Sequence, residues 1–198
     1  MIVAMVGGTG AFGLALAARL VEAGDEVVIG SRAAERAEEK ANEVGASGGA
    51  ANEDAVCGVD IVVLATRADA ALPTATDLAD AIGATPVLSV ASDLRSTDAL
   101  SLAQRTQDLV GGPVVAGLHS LAAGKLAHGR PDEDAFICGD DEEAKALALE
   151  LAGKVVAGRA LDAGPLASAR ALEGMTAVIV NLNKRYKGHA GIRVTGLP

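Results

Sequence analysis

The sequence predicts a doubly wound α/β fold on a mainly parallel sheet, with a small C-terminal strand/helix extension. Three observations predict it. Over the first two-thirds of the 198 residues, short β-branched runs alternate with longer Ala-rich stretches of helical period. The runs are continuously apolar rather than alternating, as strands covered on both faces are. A glycine-spaced turn joins the first run to the first helical stretch.

In chain order, strands are expected at "IVAMV" (2–6), "EVVIG" (26–30), "DIVVLA" (60–65), "PVLSV" (86–90) and "PVVAGL" (113–118). Helices are expected between them at 11–23, 33–44, 69–82 and 97–109. Gly24 is placed to end the first helix. The stretch "VGASGGAANED" (44–54) reads as a Gly-rich surface loop before a short helix, and Pro73 predicts an irregular start to the helix over 69–82. After about residue 130 the texture changes. "DAFICGDDEEAKALALELAG" reads as a strand, then a helix opened by Asp140 with Glu143 completing a capping box. "GRALDAGPL" (158–166) gives a short strand, and Pro165 suits the first turn of a long helix. In that helix Leu172, Met175, Ile179, Leu182 and Tyr186 share a face, which packs on its own domain or against a second subunit. The expected division is 1–130 and 131–198.

Composition removes several function classes. There is no Trp, one Tyr and two Phe, too few rings for a base-stacking platform. Acids outnumber bases 26 to 17, for a net charge of −9, the reverse of a phosphate-backbone binder. No nucleic-acid partner is expected. Cys57 and Cys138 lack CxxC spacing and sit beside predicted strands, so both are expected as buried reduced thiols. Three histidines without ligand spacing predict no metal site. The N-terminus runs straight into a strand, and no apolar run reaches about 18 residues without charge, so a soluble, cytoplasmic protein without a membrane span is expected.

"VGGTGAFG" places Gly8, Gly10 and Gly13 in G-x-G-x-x-G spacing between a strand and a helix, the Rossmann-type dinucleotide turn. Gly8 permits the tight turn, Gly10 leaves room for a pyrophosphate, and Gly13 lets helix and strand pack closely. The helix N-terminus offers N–H groups and partial positive charge to the phosphates. About 20 residues on, an NAD site would present a carboxylate to the ribose. This chain presents Ser31 and Arg32, with Arg36 one helical turn further and Thr9 beside the glycines. A hydroxyl and guanidinium forks suit a 2′-phosphate, so the expected cofactor is NADP(H). The alternative is a helix cap at Ser31 with two solvated arginines.

These residues resemble the F420H2:NADP oxidoreductases, and the likeness runs nearly the whole chain. It is carried by "MVGGTGAFG…EVVIGSR", "AGLHSLAAGKLA" and "CGDDEEAKALALELA…LDAGPLASARALEG…NLNKRYKGHAGIRVTGL". The resemblance implies an NADP-binding Rossmann-type domain, 1–130, and small C-terminal elements, 131–198, that complete a cleft and a homodimer. It implies hydride transfer between the nicotinamide and the deazaflavin F420. On matching positions Thr9, Gly10, Ala11 and Phe12 would hold the pyrophosphate. Ser31, Arg32 and Arg36 would hold the 2′-phosphate. His119 and the backbone at Ala123 would lie near the two rings. His119 either assists the transfer, by bonding a ring carbonyl or stabilising charge, or is a loop histidine with a structural hydrogen bond.

The chain departs from the family pattern at two turns. Thr66-Arg67-Ala68 replaces an Ile-Pro-aromatic turn, and "SVASDL" replaces a Pro-containing segment. With Thr66, Arg67, Ala91 and Ser92 these turns complete the expected cofactor-binding set. Lys184, Arg185, Lys187 and Arg193 form a basic segment that either steers the anionic F420 tail, caps a helix end, or meets a subunit. An NADPH-dependent reductase of another acceptor (a flavin, an imine or a ferric chelate) and a non-catalytic NADP sensor are the alternative functions.

Overall fold

The apolar runs form one eight-stranded sheet in the computed structural model, which describes residues 1–197. The strands are β1 (Ile2–Val6), β2 (Glu26–Ser31), β3 (Gly48–Ala51), β4 (Ile61–Leu64), β5 (Val87–Ser89), β6 (Val114–Gly117), β7 (Ala135–Gly139) and β8 (Ala160–Asp162). Their spatial order is β3-β2-β1-β4-β5-β6-β7-β8. Pairings from β3 to β6 are parallel, β6–β7 is antiparallel, and β7–β8 is parallel again.

The helices are α1 (Ala11–Glu22), α2 (Ala34–Val44), α3 (Asn52–Ala55), α4 (Ala68–Ile82), α5 (Leu102–Gln107), α6 (Ala123–Ala127), α7 (Glu142–Val155) and α8 (Ala169–Tyr186). Successive strand residues face opposite layers. Val3, Met5, Ile61 and Val63 meet Leu16 and Leu20 of α1 and Leu151 of α7 on one face. Ala4, Val6, Val62 and Leu64 meet Leu78 and Ile82 of α4 and Leu172 of α8 on the other. Winding reverses between β1 and β4, which opens a crevice at the carboxyl ends of both strands.

Several local expectations are corrected. The 44–54 loop contains strand β3, whose "GGAA" carries little β-propensity. A side chain at Gly49 would lie 2.2 Å from the backbone of Ala37, so the strand passes under α2 only without one. The helix over 97–109 shrinks to α5. Asp93 accepts from the N–H groups of Arg95 and Ser96, and Ser96 from that of Asp98, which fixes the preceding segment as turns. Ser101 and Gln104 then close a capping box that starts α5. The helix over α4 continues through Pro73, giving up one backbone bond rather than its course. Asp141, not Asp140, caps α7, accepting from Ala144 N–H at 2.8 Å. Asp140 instead accepts from Leu166 N–H. Cys138 is buried, and burial raises its thiol pKa to about 11, but Cys57 is exposed. No helix among the described residues is long and apolar enough to cross a membrane.

The reversed strand β7 sends the chain back, and α8 closes the opposite face. Its first half is anchored in the core by Ala169 and Leu172. Ile179 is also buried, whereas Val178, Leu182 and Tyr186 are exposed, so the predicted shared face is only half covered. The segment after α8 is tied down by the buried Asp134, which accepts from Val194 N–H at 2.7 Å. The Arg159 guanidinium beside Asp134 holds that carboxyl well below the usual carboxylate range.

Candidate active site

Two adjoining chambers occupy the crevice, sharing Ala65, Thr66 and Arg67 as their common wall. The outer chamber, about 320 Å³, reaches from Gly7, Thr9 and Gly10 to Ser31, Arg32 and Arg36. The inner chamber, about 270 Å³, lies between Phe12, Ala91, Ser92, His119 and Thr176. The walls come mainly from the carboxyl ends of β1, β2, β4, β5 and β6, together with residues from α1 and α8.

The glycines have separate physical reasons. Gly7, with φ +75°, occupies the left-handed region that a side chain rarely adopts. A Cβ at Gly8 would meet Met5 O at 2.7 Å, and one at Gly13 would meet Gly8 Cα at 2.9 Å. Those positions are fixed by the protein itself. A Cβ at Gly10, by contrast, would meet only Gly7 O, at 3.5 Å, so the fold does not demand glycine there. Its missing side chain leaves open the space that faces the first turn of α1. No side chain caps that helix, which leaves its first N–H groups for a ligand. This is a cradle for an anionic group of pyrophosphate size, and the residues present fit one.

Ser31 ends β2 and is not the cap of α2, a position held by Ala33. Its Oγ accepts a long 3.4 Å bond from Ala33 N–H. Arg32 and Arg36 are exposed and make no ion pair among the described residues. Two unpaired guanidinium groups and a hydroxyl therefore converge on one end of the outer chamber, and Glu35 points to solvent. Asn52, at the start of α3, joins them there, and its buried Oδ1 has no partner. Sequence reasoning missed it because it lies just past the unrecognised strand β3.

At the inner end, β6 is followed directly by Leu118, a buried residue with φ +63°. That strained conformation turns the chain so that His119 folds back over β5. The His119 Nε2 lies 3.2 Å from Ala91 O, so it carries the proton and donates. Burial drives the imidazole pKa down to about 4, against which the Ala91 bond acts only partly. The ring is neutral, and its Nδ1 is a buried acceptor without a partner. His119 thus makes a structural hydrogen bond, and its ring is neutral.

Thr176 of α8 is a second lining residue that the sequence reading did not single out. Its hydroxyl lies 2.8 Å from His119 O and 2.9 Å from Ser92 Oγ. One hydroxyl has one proton, and the carbonyl can only accept it, so Ser92 donates to Thr176 and Thr176 to His119. The turn at Ser92 and the turn at His119 are joined through a helix remote in sequence. Thr66 Oγ1 on the shared wall is also buried and unpartnered, and Arg67 is drawn outward to Asp69 at 3.1 Å.

Other expected residues lie elsewhere. Ala123 opens α6, and Leu118 and Leu121 line the inner chamber in its place. Arg193 is paired with Asp132 at 2.9 Å and lines a separate cavity with Lys125 and Glu133. Lys184, Arg185 and Lys187 lie at the end of α8. At 1.5 Å per residue, Lys184 stands about 12 Å beyond Thr176 along the axis. The four cations therefore do not form one patch at the cleft. His128 is exposed, its Nδ1 against Gly124 O. No group of three or more metal-ligating side chains occurs among the described residues.

The buried neutral imidazole makes stability pH-dependent. Its pKa is about 4 folded against 6.5 as the ordinary value, so the unfolded chain binds the extra proton between these limits. The His119 contribution is present in full above pH 6.5 and is lost as pH falls toward 4. Denaturant unfolding of the wild type is expected to lose about 2–3 kcal/mol over that window beyond what a His119→Gln variant loses.

Comparison with known proteins agrees with this geometry. The model of the family described as "NADP oxidoreductase coenzyme F420-dependent" matches residues 2–93. A curated F420-dependent NADP reductase of Methanothermobacter thermautotrophicus is 35% identical over 225 aligned residues, spanning 100% of this chain and 96% of the relative. One from Methanocaldococcus jannaschii is 32% identical, spanning 100% of this chain and 99% of its own length. A crystal structure of a candidate F420-dependent NADP-reductase from Arthrobacter sp. FB24 superposes with a TM-score of 0.84 at 23% identity, covering 98% of this chain and 99% of that one. That likeness shows the fold, and the two full-length relatives show the kinship: the chain belongs to the F420-dependent NADP reductase family.

Proposed function

We infer that the protein transfers a hydride between NADP(H) and coenzyme F420. The observation that carries this reading is the two-chamber cleft in a member of this family. Its outer end gathers Ser31, Arg32 and Arg36 without an acid, and its inner end is large enough to bring two ring edges together. When bound, the nicotinamide and the deazaflavin supply the redox chemistry themselves. The chain's part is to bind, orient and exclude water.

In this reading Thr9, Gly10, Ala11 and Phe12 hold the pyrophosphate on the turn that Gly8 and Gly13 shape, and Ser31, Arg32 and Arg36 hold the 2′-phosphate. Thr66, Arg67, Ala91 and Ser92 line the path to the nicotinamide. His119 acts there as a neutral positioning group. Residues 1–130 carry the nucleotide, and 131–198 complete the substrate end through Thr176. The unpaired arginines and the open space at Gly10 support the first assignment, and the Ser92–Thr176–His119 chain supports the last.

The function is tested by mixing the protein with NADPH and oxidised F420 and following the visible absorbance of the deazaflavin, with NADH as control. Bleaching with NADPH alone is expected, and no bleaching with either nucleotide overturns the assignment. In the same assay Arg32→Ala should raise the NADPH KM about 10- to 100-fold and leave that of NADH nearly unchanged, the loss of one charge-assisted bond of about 1.5–3 kcal/mol. Gly10→Ala should keep the thermal midpoint of the wild type while weakening NADPH binding at least about tenfold, because the added methyl enters ligand space and not protein.

The protein is also proposed to work as a cytoplasmic homodimer. The exposed Val178, Leu182 and Tyr186 on the second half of α8 support a subunit contact there. Sedimentation velocity should show a dimer for the wild type and a monomer for Leu182→Glu.

A further inference from the structure

The segment over 90–101 brings Ala91 and Ser92 into the inner chamber yet has neither helix nor strand. Its tip is exposed from Thr97 to Leu100, and Leu94 is 47% exposed. A loop with so few buried contacts would sample many conformations if held only at its ends. Its attachments are instead gathered on two turns of α8. Arg170 donates to Ser96 O at 2.8 Å and to Asp93 O at 3.3 Å. Glu173 Oε1 accepts from Leu102 N–H at 2.7 Å, where the loop passes into α5. Thr176 meets Ser92 at the loop's other end.

Glu173 is 1% exposed, and its partner Arg170 stands 3.5 Å away. A buried carboxylate is costly to keep unless it is bonded and paired. Glu173 does not line the inner chamber, so contact with a ligand does not account for it. What it does touch is the far anchor of the loop. The loop is thus pinned at its start, middle and end by Thr176, Arg170 and Glu173, spaced three residues apart on one helix.

We propose that Glu173, together with Arg170, is a positioning residue that holds the 90–101 loop as a fixed wall at the acceptor end of the cleft. It thereby sets how well the second substrate is received, while nucleotide binding at Ser31, Arg32 and Arg36 stays untouched. The proposal rests on the assignment of the inner chamber to the nicotinamide and F420. Catalytic geometry is sensitive enough for such a role, since a displacement of about 1 Å can cost on the order of 100-fold in rate.

The test compares wild type, Glu173→Ala and Glu173→Gln. The glutamine keeps a carbonyl oxygen for Leu102 N–H and loses the charge. Three quantities are read: amide hydrogen exchange over 90–102, the NADPH Kd by fluorescence titration, and the KM and kcat for F420. In Glu173→Ala, exchange over 90–102 and the F420 KM should each rise about tenfold, with the NADPH Kd within about twofold of wild type. Glu173→Gln should recover most of both effects. Unchanged exchange in Glu173→Ala overturns the proposal. So does an NADPH Kd that rises in step with the F420 KM, because a merely structural role would move both. Should Glu173→Ala not fold, Glu173→Gln must still show a smaller rise in exchange and in F420 KM alone; no change in either overturns the proposal. Absence of F420 turnover by the wild type would instead sink the functional assignment, whereas the exchange result is read without F420 and decides the grip on the loop by itself.

Discussion

The reversal of winding between β1 and β4 is the constraint on which the cleft depends. Parallel strands deliver their carboxyl ends to one edge, and the reversal parts the connecting helices there. Gly7 and Gly8 then let β1 turn into α1 within a few residues, bringing a helix N-terminus to the gap. Ser31, Thr66, Ala91 and His119 reach the same edge because each stands at or just past the end of β2, β4, β5 or β6. No special device gathers them; a parallel sheet does so by its register.

The C-terminal third answers a different need. A strand beside β6 running parallel to it would have started the next helix from the carboxyl edge and sent it away from the crevice. Antiparallel β7 reverses the chain, and after β8 the helix α8 climbs the opposite face toward the carboxyl edge. It arrives with Arg170, Glu173 and Thr176 facing the loop after β5 and the turn after β6. The loop after β5 and the turn after β6 are thus joined through a few side chains of one helix.

Much of this was legible in the sequence, and the failures have physical causes. The five apolar strands, the glycine turn and the donors at Ser31, Arg32 and Arg36 were readable because local chemistry dictates them. Strand β3 was not, since its glycines are there to clear Ala37 of α2, a tertiary demand. The 97–109 helix failed because side-chain bonds from Asp93 and Ser96 captured the backbone. Thr176 and Glu173 look like ordinary positions of an amphipathic helix, and only the long-range contacts mark them. Arg193 reads as a free cation until Asp132, distant in sequence, is seen beside it.

The neutral imidazole of His119 has a consequence for where protons come from. Apart from it, the inner chamber is lined by one arginine and by groups that do not ionise near neutrality. A hydride moved from NADPH to F420 leaves the acceptor one proton short of its reduced form. In the proposed reading no carboxyl, thiol or ammonium group lines that chamber to supply it, and the proton is drawn from water at the mouth of the cleft. Under that reading the acidity of the medium, rather than any side chain, tilts the balance between the two reduced carriers.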